Sequence, residues 1–68
     1  MTAEAVARLV AAGVEWLPAS QAALWCGVSR STFERMVRRL GIKASRPGGP
    51  NGDRRFHVAA IRAALLSA

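Results

Sequence analysis

The sequence predicts a mainly α-helical domain that carries a small β-hairpin. Three observations predict it. Two short helix-like segments, Ser20–Cys26 and Arg30–Leu40, are separated only by Gly27-Val28-Ser29. Two short strand-like segments, Ile42–Arg46 and Asp53–His57, flank Pro47-Gly48-Gly49-Pro50-Asn51-Gly52, which has to turn. Apolar residues on either side of this block recur at helical spacing.

A chain of 68 residues reads as one domain, 1–68, with a thin core. Cys26 is the only cysteine, so no internal disulfide is expected. It lies far from His57, the only histidine, and no zinc-ligand spacing occurs, so neither a metal site nor a cofactor is expected. A lone cysteine suits a reducing compartment, and Cys26 reads as a small buried apolar residue. The start carries Glu4 before Arg8 and does not resemble a signal peptide. Leu9–Val14 is too short to cross a bilayer. The expectation is a soluble cytoplasmic protein with no membrane partner.

Each element follows in order. Thr2–Ala12 reads as a helix capped by Thr2, with Val6, Leu9, Val10 and Gly13 at i, i+3, i+4 and i+7, and Gly13 as its stop. This is the N-terminal helix of segment 1–13. Glu15-Trp16-Leu17 is a connector whose Trp16 and Leu17 are expected to pack inward. Segment 18–41 is a helical pair. Pro18 suits a first helical turn, Gly27 a left-handed stop, and Ser29 the N-cap of the next helix.

On a wheel of about 100° per residue, Phe33, Met36, Val37 and Leu40 of that helix cluster between about 240° and 340°. Arg30, Ser31, Glu34, Arg35 and Arg38 lie between about 0° and 140°, with Thr32 and Arg39 at the flank. One stripe is core and the other a basic wall, closed by Gly41 and by Ile42 folding back in a Schellman-type cap. Segment 42–57 is the hairpin, with Phe56 inward. Segment 58–67 is a closing helix anchored by Ile61 and Leu65.

The net charge of +6 is unevenly placed. Residues 1–29 carry Arg8 against Glu4 and Glu15, a net of −1, whereas residues 30–68 carry nine basic groups against Glu34 and Asp53, a net of +7. Such asymmetry points to a polyanion or an acidic membrane surface as partner.

A tight helical pair followed by a hairpin is the pattern of a winged helix-turn-helix DNA-binding domain. In that arrangement the second helix enters the major groove and the hairpin is the wing. Candidate contacts on the helix are Ser29, Arg30, Ser31, Thr32, Arg35, Arg38 and Arg39. An arginine can bind guanine bidentately, and a helix N-terminus favours phosphate. Candidate contacts on the wing are Lys43, Arg46, Asn51, Arg54 and Arg55, facing phosphate or a narrow minor groove.

A basic helix face is by itself usually a solvated surface. Here it follows a tight helical turn and adjoins a basic hairpin, which favours double-stranded DNA as partner. Glu34 is expected to pair with Arg30 or Arg38 rather than read cytosine. Trp16 and Trp25 are expected in the core rather than stacked on bases, and His57 at a strand end rather than in catalysis. The first helix is expected to pack; the alternative is that it supports protein–protein contact, since Leu24 is expected to face away from the core of the helical pair.

The stretches "LPASQAALWCGVSRSTFERMVRRLGI" and "RRFHVAAIRAAL" together resemble the winged-helix excisionase family of phage origin, within the MerR-like group of DNA-binding proteins. The family pattern has a Leu-Thr-x-x-Glu-Ala-Ala opening, then Gly-Val-Ser, a recognition helix with Ser-Thr and Arg, a wing ending in Arg-Arg-Phe, and a closing helix. The resemblance covers about residues 17–66. Pro18 stands at the capping Thr and Gln21 at the Glu; both departures touch helix capping. The wing tip is longer and richer in Gly and Pro, and the N-terminal helix is an addition.

The resemblance implies a recombination directionality factor. Such a protein binds and bends attachment-site DNA, partners an integrase, self-associates on neighbouring sites and favours prophage excision. It implies no catalysis and no small-molecule effector, since 68 residues hold neither the long dimerisation helix nor the effector domain of MerR-type regulators. The Ala-, Arg- and Gly-rich composition fits a GC-rich actinobacterial phage or prophage.

A small phage repressor with the same fold, and a basic adaptor for an acidic protein, are the competing expectations. An enzyme is not expected: the sequence shows no carboxylate pair, nucleophile–base spacing or phosphate-binding glycine loop.

Overall fold

The computed structural model describes residues 1–45 and 54–67. Among them the chain forms, in order, α1 (Ala3–Ala11), β1 (Trp16–Pro18), α2 (Ala19–Cys26), α3 (Arg30–Leu40), β2 (Ala44–Ser45), β3 (Arg55–His57) and α4 (Val58–Ser67). The expected turn Pro47–Gly52, with Arg46, Asn51 and Asp53, lies outside the described residues.

Thr2 caps α1 as the sequence indicates, its hydroxyl oxygen accepting from the Ala5 N–H at 3.2 Å. All three of the first helices end alike. The N–H of an apolar residue just past a positive-φ glycine reaches back five residues: Val14 to Leu9, Val28 to Ala23 and Ile42 to Val37, at 3.0 to 3.1 Å. This is the Schellman arrangement, and Gly27, at φ +74°, makes the three-residue turn between α2 and α3 without a Cβ penalty.

The connector expected around Trp16 is instead a strand. β1 and β2 both pair antiparallel with β3, giving the order β1-β3-β2. The register sets Leu17 opposite Phe56 and Trp16 opposite His57. Side chains alternate along a strand, so Leu17 and Phe56 share the inner face and Trp16 is turned outward. Leu17 is fully buried while Trp16 is 45% exposed, its ring edge-on to His57 at 4.7 Å. The expectation that both residues pack inward therefore holds for Leu17 alone.

Three further expectations are corrected. Pro18 is the N-cap of α2, not part of its first turn, and it offers no side-chain acceptor. Leu24 is partly buried against the core and does not face away from it. Leu65 is 43% exposed; α4 is anchored by Val58 and Ile61, with Ala64 partly buried. The inward face of α4 runs through Val58, Ile61 and Ala64, and Leu65 is turned off it. Of the two expected strands, Ile42, Lys43 and Arg54 lie outside the strands observed among the described residues, Ala44–Ser45 and Arg55–His57.

The core gathers Val6 from α1, Leu17 from β1, Ala19, Ala22 and Ala23 from α2, Phe33 from α3, Ile42, Phe56 from β3, and Val58 and Ile61 from α4. The small alanines of α2 let α1 and α3 approach it closely, while Phe33 and Phe56 supply the bulk. Their rings meet edge to face, with centroids 5.0 Å apart. No polar side chain is buried among the described residues. Trp25, expected in the core, is only partly buried against it, and Arg62 lies over its ring at 5.6 Å. No helix among the described residues is long and apolar enough to cross a membrane.

Candidate nucleic-acid interface

α3 is amphipathic because most of its apolar residues fall on one side of the helical wheel; Met36, expected in that core stripe, is instead half-buried and lines the outer groove beside Thr32, Arg35 and Arg39. Phe33 is fully buried, and Val37 and Leu40 are partly buried against the core. The opposite side is left to solvent: Arg30, Ser31, Arg35, Arg38 and Arg39 are all exposed. The guanidinium groups of this face are therefore placed by burial of the other one, and they are carried by an element whose two ends are both capped.

The N-terminal end of α3 holds a short relay of hydroxyls. The Ser29 hydroxyl oxygen accepts from the Thr32 backbone N–H at 3.2 Å, which satisfies a first-turn donor. The same hydroxyl donates to Thr32 Oγ1 at 2.9 Å, and Arg35 Nη2 donates to that oxygen at 3.3 Å. Ser31 Oγ lies 3.3 Å from Ser29 Oγ. Four sequence-predicted residues, Ser29, Ser31, Thr32 and Arg35, thus form one exposed cluster. Thr32, Arg35, Met36 and Arg39 also line a shallow groove of about 410 Å³ along the outer side of α3.

Glu34 does not pair with Arg30 or Arg38. Arg54 Nη2 donates to both of its carboxylate oxygens, at 2.6 Å to Oε1. Arg54 also lies over the Phe56 ring, 5.3 Å from its centroid. The antiparallel return of the hairpin brings residue 54 to α3, a juxtaposition of positions 20 apart that no helical or strand period announces. Arg30 and Arg54 meet again along a shallow pocket of about 180 Å³ with Pro18, Ala19 and Ser20 at the start of α2.

The remaining candidates expected on the hairpin are less gathered. Lys43 is exposed just past α3. Arg55 sits in the central strand, opposite both Pro18 and Ser45, and alternation sends it to the outer face, away from Phe56. Arg46 and Asn51 lie outside the described residues.

Cys26 is only partly buried, and burial pushes its thiol above the ordinary range. Among the described residues no group of three or more His, Cys, Asp or Glu side chains comes together as a metal site. What the surface offers chemically is a set of fixed positive charges and hydroxyl donors on one helix, with a hairpin beside it. No protein-family model, curated protein or solved structure matches the chain.

Proposed function

We propose that the chain is a sequence-specific DNA-binding protein of winged helix-turn-helix type. In this reading α2 and α3 are the helical pair, α3 enters the major groove, and the β2–β3 hairpin is the wing on the adjacent backbone. The observation that carries it is the exposed arginine row of α3, Arg30, Arg35, Arg38 and Arg39, on a helix whose far side is pinned to the core by Phe33. A helix held to the core by one face, with several guanidinium groups on the other, suits the negative charge and base edges of a DNA major groove. The carboxylate on that face is bound to Arg54, and among the described residues it forms no ion pair with the row.

The resemblance to excisionases makes the reading narrower. The protein binds repeated sites beside an attachment site, bends the DNA and steers an integrase toward excision. Bending a short site smoothly costs on the order of 1–6 kcal/mol, which contacts between neighbouring copies must offset.

Gel-shift titration with footprinting tests this, using the attachment-site region and the promoter of the protein's own gene at one fixed salt concentration. A stepwise ladder over direct repeats at the attachment site is expected. A single complex on a promoter palindrome would identify a repressor of the same fold. Binding indifferent to DNA sequence would favour an adaptor.

A further inference from the structure

We propose that Glu34 is a positioning residue that withholds Arg54 from the nucleic acid and fixes the root of the wing against α3. The inference rests on the DNA-binding reading above.

On its own helix Glu34 has two cationic neighbours, Arg30 four residues before it and Arg38 four residues after, the spacing at which helical ion pairs form. The carboxylate takes neither and binds Arg54 of the hairpin instead. Arg54 is in turn seated on Phe56, and Phe56 on Phe33, so the guanidinium closes a stack that starts in the core of α3. Both side chains of the ion pair keep about a third of their surface exposed, 30% for Arg54 and 32% for Glu34. An ion pair that open to solvent adds little to stability. Its larger effect is to divide the basic residues into two sets. Arg54 is neutralised and used as a strut, whereas Arg30 and Arg38 keep their full charge facing outward.

Removing the carboxylate has a signature that loss of fold does not share. A released Arg54 becomes one more cation able to displace counterions from DNA, and each such contact adds about 0.9 to the slope of log affinity against log salt.

The test measures affinity of the full chain for its footprinted site and for a scrambled duplex across a range of salt. The proteins compared are the wild type, E34Q, R54Q and the double variant, each checked for native circular dichroism. With E34Q, the salt slope is expected to steepen by about one unit, and affinity for the scrambled duplex to rise roughly five- to tenfold at about 0.1 M salt, so the specificity ratio falls. In the R54Q background, E34Q is expected to have a clearly smaller effect on both quantities, since no guanidinium is released from the hairpin. An E34Q effect of equal size in both backgrounds would mean that Glu34 acts by its own charge on DNA, and a loss confined to one base pair would mean that it reads a base; either overturns the proposal. If the wild type shows no salt-dependent binding to either duplex, the DNA-binding reading fails, and this inference with it.

Discussion

Phe33 of α3 and Phe56 of β3 meet edge to face with their ring centroids 5.0 Å apart, and both are fully buried. This contact fastens the helix with the exposed arginines to the central strand of the sheet. Replacing either ring by alanine is expected to cost about 3–5 kcal/mol. A core this small rarely supplies more than about 3–5 kcal/mol in total. Phe33→Ala and Phe56→Ala should therefore be largely unfolded at room temperature by circular dichroism, while Phe33→Leu should melt cooperatively at a lower temperature. A wild-type melting curve for Phe33→Ala would show that the ring pair is not the centre of the core.

The turn between α2 and α3 depends on Gly27. A Cβ there would meet no atom within 4 Å, so crowding is not the obstacle. The obstacle is the positive φ of +74°, which costs an L-residue about 1–2 kcal/mol. Gly27→Ala is expected to lose that amount in urea denaturation, and Gly27→Asn less, since asparagine tolerates the left-handed region. Equal losses for the two variants would point to some other cause.

Arg35 is steadied by Thr32 Oγ1, which is itself held by Ser29. On the proposed DNA-binding function, Arg35→Ala is expected to weaken binding to the specific site by about 1–3 kcal/mol, with a much smaller effect on a scrambled duplex. Equal losses on both would make Arg35 a phosphate contact. Thr32→Val keeps the side-chain shape and removes the acceptor. It should reduce discrimination by less than Arg35→Ala and leave the melting temperature nearly unchanged.

Burial raises the Cys26 thiol, so the folded protein forms its thiolate at higher pH than the unfolded chain does. The stabilising contribution is complete below the unfolded pKa and is lost as pH rises through the folded one. Alkylation of Cys26, followed against pH, should reach its half-maximal rate at higher pH in the native protein than in urea. Coinciding profiles would mean that the thiol is not desolvated.

Much of this was legible in the sequence because it is local. Thr2, Gly27, Ser29 and Gly41 mark helix ends through the backbone geometry and side-chain acceptors they supply within a turn, and the wheel of α3 separates Phe33 from its arginines by angle alone. The existence of the helices, the burial of Phe33 and Phe56, and the outward set of basic residues were all determined this way.

The tertiary structure decided whatever depends on residues distant in the chain. Glu15-Trp16-Leu17 has too little pattern to announce a strand. Its pairing with β3 made it one, and the two-residue alternation then sent Leu17 in and Trp16 out. Leu65 fits a helical spacing, but the face of α4 that meets the core runs through Val58, Ile61 and Ala64. Glu34 had two near partners on its own helix and bound neither, because the return of the hairpin set Arg54 beside it over the Phe56 ring. Periodicity records which way a side chain points along one element. Which charge meets which is fixed only when the elements pack.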